Sequence, residues 1–126
     1  MDYKLNLPVG RPPEKAQEQS LALFRIVTRP SSEAYMLKDA DFLSHRELEP
    51  ENKQGKACKA HAVSLFDSLE GAQTMAVQAM SAKRNLGNYI VRLHVYPNAG
   101  KCILSNADSG HFSVWLYRDY LNHIEL

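Results

Sequence analysis

The stretch from Ala60 to Met80, AHAVSLFDSLEGAQTMAVQAM, constrains this chain more than any other. A short apolar run of Ala62, Val63, Leu65 and Phe66 reaches a polar joint at Asp67-Ser68, and helix-forming residues follow without a linker. Asp67 and Glu70 stand three apart, the spacing at which a capping side chain and the third helical residue each bond the other's free backbone N–H. The helix is therefore expected to start at that joint. Leu69, Ala72, Ala76, Ala79 and Met80 recur at three- and four-residue steps, which predicts one buried face. Lys83 and Arg84 ahead of Gly87 suit a helix C-terminus, so the helix is expected over about 68–84. A strand feeding straight into a capped helix holds Ser64 beside the helix start at one end of a sheet. A site is expected there.

The flanking sequence supplies the rest of that sheet. LALFRIVTRP, residues 21–30, reads as a first strand closed by Pro30. A short helix is expected around Asp39 to His45, with Leu37, Phe42 and Leu43 facing the core, and ELEPENKQGKACK reads as a long surface loop. Tyr89, Val91, Leu93 and Val95 alternate with Ile90, Arg92, His94 and Tyr96, the period of a half-buried strand. PNAG and NADSG then mark turns around a return strand at 101–105, a further strand spans 112–117, and the tail NHIEL offers one more. The expected fold is α+β: a small mixed or antiparallel sheet, one main amphipathic helix and a C-terminal β-meander. Pro8, Gly10, Pro12 and Pro13 make residues 1–13 an extended arm, and 14–126 form a single domain.

Composition excludes several classes. With 15 basic and 14 acidic residues well mixed, the chain has no bulk charge for a nucleic acid or an anionic membrane. Cys58 and Cys102 are too few and too far apart for a zinc site or a disulfide scaffold. No run reaches the length of a membrane span, and MDYKLNLPVGRPP lacks the apolar core of a secretion signal. A cytoplasmic protein is expected, or one exported without a cleaved leader.

Four side chains carry most of the chemical interest. Arg25 interrupts the apolar run LFRIVT, where a charge either turns to solvent or forks onto a phosphate in a cleft. Ser64 offers a hydroxyl beside the helix start. His111 begins a strand directly after the DSG turn, where a group titrating near neutrality can move a proton. Glu125 is the acid of the last short strand.

Taken in order, FRIVTR, AVSLFDSLEGAQ, YIVRLHVYP and HFSVWLY resemble the ADP-ribosyltransferase-like fold. In that family an arginine or histidine on an early strand precedes a serine or tyrosine strand that leads into a helix, and strand pairs with a late glutamate follow. The resemblance covers residues 21–126 by the order of its features. It implies that Arg25 holds the phosphates of NAD and that Ser64 supports the nicotinamide ribose. Phe66 or Tyr89 would pack on the nicotinamide, and Glu125 would stabilise the ribosyl cation as nicotinamide leaves. The chain departs from the family pattern in two places: Leu65 and Phe66 follow Ser64 where a second hydroxyl residue is usual, and no E-x-E or Q-x-E pair accompanies the late Glu125, the E-x-E spacings at Glu47, Glu49 and Glu51 falling in the expected surface loop. His111 would then take over part of the acid's role, as in relatives of the RNA 2′-phosphotransferase-like branch.

The implied activity is NAD-dependent ADP-ribosyl transfer to a macromolecular target by a small toxin or effector, with a cognate inhibitor protein as a further partner. Two competing readings stay open. One is a non-catalytic binding module of the immunity or phage-inhibitor type. The other is a toxin-type ribonuclease using His111, Arg92 and Tyr96.

Overall fold

The computed structural model describes residues 2–8, 10–29, 35–48 and 61–126. Six strands form one antiparallel sheet: β1 (Leu21–Val27), β2 (Val63–Phe66), β3 (Tyr89–Val95), β4 (Gly100–Asn106), β5 (His111–Leu116) and β6 (Ile124–Glu125). Their order across the sheet is β4-β5-β2-β1-β3-β6. The expected α+β class holds and the sheet is antiparallel throughout, but the expected C-terminal β-meander does not form: β4 and β5 pair as a hairpin, while β3 lies across the sheet between β1 and β6, because its partners are distant in the chain. The main helix, α2 (Leu69–Ser81), is shorter at its C-terminal end than the expected 68–84. The helix expected around 39–45 is instead a 3-10 turn at Asp39–Phe42 followed by the four-residue α1 (His45–Leu48). The loop expected over 46–59 lies outside the described residues from residue 49 onward.

Alternation assigns each strand residue to a face. Leu23, Val27, Leu65, Val91, Leu93, Val114 and Leu116 point to one side, where they pack with Phe42 and Tyr120 into the main core. Burying each such side chain is worth about 1.5–3 kcal/mol, so this layer supplies most of the driving force. Phe24, Ile26, Phe66 and Ile90 point to the other side, under Ala72, Met75 and Ala76 of α2. The helix approaches the sheet closely because its contact face is small: Gly71, Ala72 and Ala79 are buried. Leu69 and Met80, expected on that face, are exposed. A Cβ on Gly71 would lie 2.2 Å from the Ser109 carbonyl, and this tight seat on the β4–β5 turn rotates the flanking large residues outward.

The N-terminal arm lies on the domain. Tyr3 bridges Tyr117, the Lys4 N–H donates to the Leu116 carbonyl, and Gln17 pairs with Cys102 on the outer edge of β4. No helix among the described residues is long and apolar enough to cross a membrane.

The sheet has one weak seam. β1 and β3 share seven register pairs, Leu21↔Val95 through Val27↔Tyr89, whereas β1 and β2 meet at Phe24↔Phe66 alone. Beyond that pair β1 and β2 separate. The sheet is thus two three-stranded halves, and the site lies where they part.

Candidate functional site

A cavity of about 550 Å³ occupies the parting between β1 and β2. Arg25 to Thr28 form one wall and Ala62 to Ser64 with Phe66 the other. The 3-10 turn and α1 close one mouth through Asp41, Leu43 and Ser44, and the segment after α2 borders the other through Arg84, Asn85 and Leu86. Such a volume accommodates a small organic ligand.

The separation leaves strand backbone groups without a β1–β2 ladder, and Arg25 meets one of them together with a carbonyl of the 3-10 turn. Its Nη1 donates to the Ser64 carbonyl at 2.7 Å and its Nε to the Asp41 carbonyl at 3.0 Å. Both acceptors are neutral. Among the described residues no carboxylate lies within ion-pair distance of this guanidinium. Burial pulls its pKa below the ordinary arginine value; the Asp41 carboxylate, and then Tyr35 and Tyr120, oppose that pull. An arginine stays protonated at neutral pH even so. The result is a half-buried positive charge held in place by carbonyls and facing a cavity.

Ser64 and His111 form the second element. Phe66 and His111 are register partners, as are Ser64 and Ser113, so the Ser64 hydroxyl and the His111 ring leave the sheet on the same face. Nε2 of His111 lies 2.8 Å from Ser64 Oγ. The imidazole also packs against the Phe66 ring, with centroids 5.4 Å apart. Gly110 precedes His111 at φ +68°, where a Cβ would collide with the Asp67 carboxylate, and the Gly110 carbonyl accepts from Asp67 N–H at 2.9 Å. These contacts lock the turn before β5 to the start of α2, which fixes where His111 points.

Four of the six expected site residues therefore line one cavity: Arg25, Ser64, Phe66 and His111. Alternation sends the Arg25 and Ser64 side chains to opposite faces, and they share the cavity only because β1 and β2 part. Glu125 and Tyr89 lie elsewhere. Glu125 pairs with His94 in β6, at the sheet edge beyond β3, and accepts from the Tyr96 hydroxyl at 3.0 Å. Tyr89 stacks under Arg29 at 3.9 Å and beside Tyr35, and does not line the cavity. Nor are His111, Arg92 and Tyr96 brought together, since β2 and β1 stand between β5 and β3.

Two participants were not singled out by sequence reasoning. Asp41 contributes both the carbonyl that holds Arg25 and the one carboxylate among the described lining residues. From the sequence Arg84 is expected only to end the helix. Lys83 and Arg84 donate to the Met80 and Ala79 carbonyls at 2.9 and 2.8 Å, with Lys83 at φ 61°, and this capping turn carries Arg84 to the cavity rim. Basic residues just past a helix end were the available signal.

No family model, curated protein or solved structure matches this chain. Among the described residues no cluster of His, Cys, Asp and Glu has the arrangement of a metal site.

Proposed function

We propose that the cavity between β1 and β2 binds a dinucleotide, and that the protein is an ADP-ribosyltransferase-like enzyme that transfers ADP-ribose from NAD to a macromolecular acceptor. The observation that carries the reading is the Arg25 guanidinium, fixed by two carbonyls with no carboxylate within ion-pair distance among the described residues, beside the Ser64–His111 pair in one cavity. A preorganised, partly desolvated guanidinium favours an anion, and its planar fork suits a phosphate. Arg84 at the rim adds a second positive charge.

In this reading Arg25 binds the diphosphate, and the Ser64 hydroxyl, oriented by His111 Nε2, bonds the nicotinamide ribose. Phe66 and Ile26 form the apolar wall beside the base. The bond between ribose C1′ and the nicotinamide nitrogen breaks, its electron pair goes to the nicotinamide ring, and an acceptor nucleophile forms the new bond at C1′. Holding donor and acceptor in one orientation supplies much of the rate. Glu125 has no part in it, and His111 is the proton-carrying group of the cavity.

Nicotinamide release from NAD tests the proposal. Wild-type protein is expected to release nicotinamide. Arg25→Ala is expected to raise the NAD Kd about tenfold or more, the loss of one charge-assisted hydrogen-bonding group. Ser64→Ala is expected to slow release, and Glu125→Gln to leave it unchanged. Unaltered activity in a folded Arg25→Ala protein overturns the reading.

A further inference from the structure

The cavity wall that positions Arg25 is itself held by a residue outside the cavity. Lys4 stands in the N-terminal arm with its side chain only 15% exposed. Its Nζ lies 3.1 Å from Asp39 Oδ1 and 3.1 Å from Glu47 Oε2, donates to the Phe42 carbonyl at 3.2 Å and sits 5.3 Å from the centre of the Tyr120 ring. Asp39 also accepts from the Tyr120 hydroxyl at 2.5 Å. The other Glu47 oxygen accepts from both N–H and Oγ of Ser44, while Glu47 N–H donates back to Ser44 Oγ, a reciprocal cap that starts α1. One ammonium thus ties the two ends of the segment 39–47 together. Between those ends lie Asp41, whose carbonyl holds Arg25 Nε, and the wall residues Leu43 and Ser44. The arm is anchored in turn by Lys4 N–H to Leu116 and by Arg118 N–H to Asp2, so Lys4 connects this wall to the far half of the sheet.

We infer that Lys4 is a positioning residue for the cavity: the N-terminal arm, through its ammonium, sets the wall that aims Arg25 at the ligand's phosphates. The inference rests on the NAD reading for its ligand, but not for its mechanics. A segment with so little regular structure has a shallow energy minimum of its own, and a half-buried cation with three oxygen partners at about 3.1 Å deepens it. Removing the charge leaves Asp39 with Tyr120 alone and Glu47 with Ser44 alone. The wall then loosens at the Asp41 carbonyl, and Arg25 loses one of its two fixing bonds.

The test combines two readouts on Lys4→Met, Lys4→Arg and the milder Glu47→Gln. Backbone hydrogen exchange of residues 40–48 is expected to accelerate in Lys4→Met, with the amides of β3 and β5 unchanged, and to be largely restored in Lys4→Arg. NAD is expected to bind Lys4→Met about tenfold more weakly, less than the roughly hundredfold that a 1 Å misplacement costs in a rate. In the Arg25→Ala background, Lys4→Met is expected to weaken binding no further, since it acts through Arg25. A purely structural lysine would lower the melting temperature and give additive losses instead. Unchanged exchange over 40–48 in folded Lys4→Met, or in Glu47→Gln if Lys4→Met does not fold, overturns the inference, as does additive loss of affinity. If wild-type protein binds no NAD, the functional reading fails, and the exchange result alone decides the role of Lys4.

Discussion

Arg25 concentrates the electrostatic logic of the site. A lysine there would keep the charge but bridge two carbonyls poorly, because its single ammonium lacks the planar fork. Arg25→Lys is therefore expected to lower stability by about 1.5–3 kcal/mol, the range for hydrogen bonds to a charged group, as measured by urea denaturation. An unchanged unfolding midpoint would contradict the assigned bonds. This residue was legible in the sequence because a charge inside LFRIVT demanded a reason. Ser64 and His111 were each legible, the serine beside the helix start and the histidine after the DSG turn, but their 2.8 Å contact depends on the β2–β5 register, which local pattern does not carry. Glu125 misled for the same reason: a late acid resembled a family position, while the strand order put it at the opposite sheet edge.

The strand–helix unit of β2 and α2 sets Ser64 and the helix start side by side. Its existence and direction were readable from the apolar run and the polar joint, but its cap was not. Ser68, one residue past the expected Asp67, accepts from Gly71 N–H at 3.0 Å, because Asp67 is engaged with the turn at Gly110. Ser68→Ala is expected to cost about 1 kcal/mol in the same unfolding experiment. At the other end Lys83 adopts a left-handed conformation that a side chain disfavours. Lys83→Gly is expected to stabilise the protein by about 0.5–1 kcal/mol, since glycine accepts this position without strain. A destabilised variant would mean that the Lys83 side chain holds a contact outweighing that strain. The buried face escaped sequence reading because Gly71 and the alanines allow a close approach that the wider Leu69–Met80 stripe does not suggest.

The whole molecule is organised by a sheet divided between β1 and β2. The α+β class followed from periodicity and turn chemistry, but the division did not, because it needs the pairing of strands far apart in the chain. The polar groups around the sheet also set its pH response. Burial pushes the phenols of Tyr35, Tyr117 and Tyr120 above the ordinary value of about 10, and the carboxylates hydrogen-bonded to Tyr117 and Tyr120, with that of Asp41 near Tyr35, push in the same direction. Their folded-state pKa values are raised, so their contribution to stability is complete below about pH 10 and is lost as pH rises beyond it. The Tyr120 hydroxyl, and then Lys4, hold Asp39 below the usual carboxylate range, so its contribution is present above about pH 4 and is lost as pH falls through the folded value. Melting curves are expected to be flat between about pH 5 and 9, with the steeper decline on the alkaline side. Tyr120→Phe is expected to soften both limbs. The division itself is tested most directly by titrating NAD into uniformly 15N-labelled protein and mapping the shifted amides. Shifts concentrated at 25–28, 62–66, 84–86 and 111 are predicted; no shifts, or shifts confined to the Tyr96–Glu125 edge, would contradict a dinucleotide site between the two half-sheets.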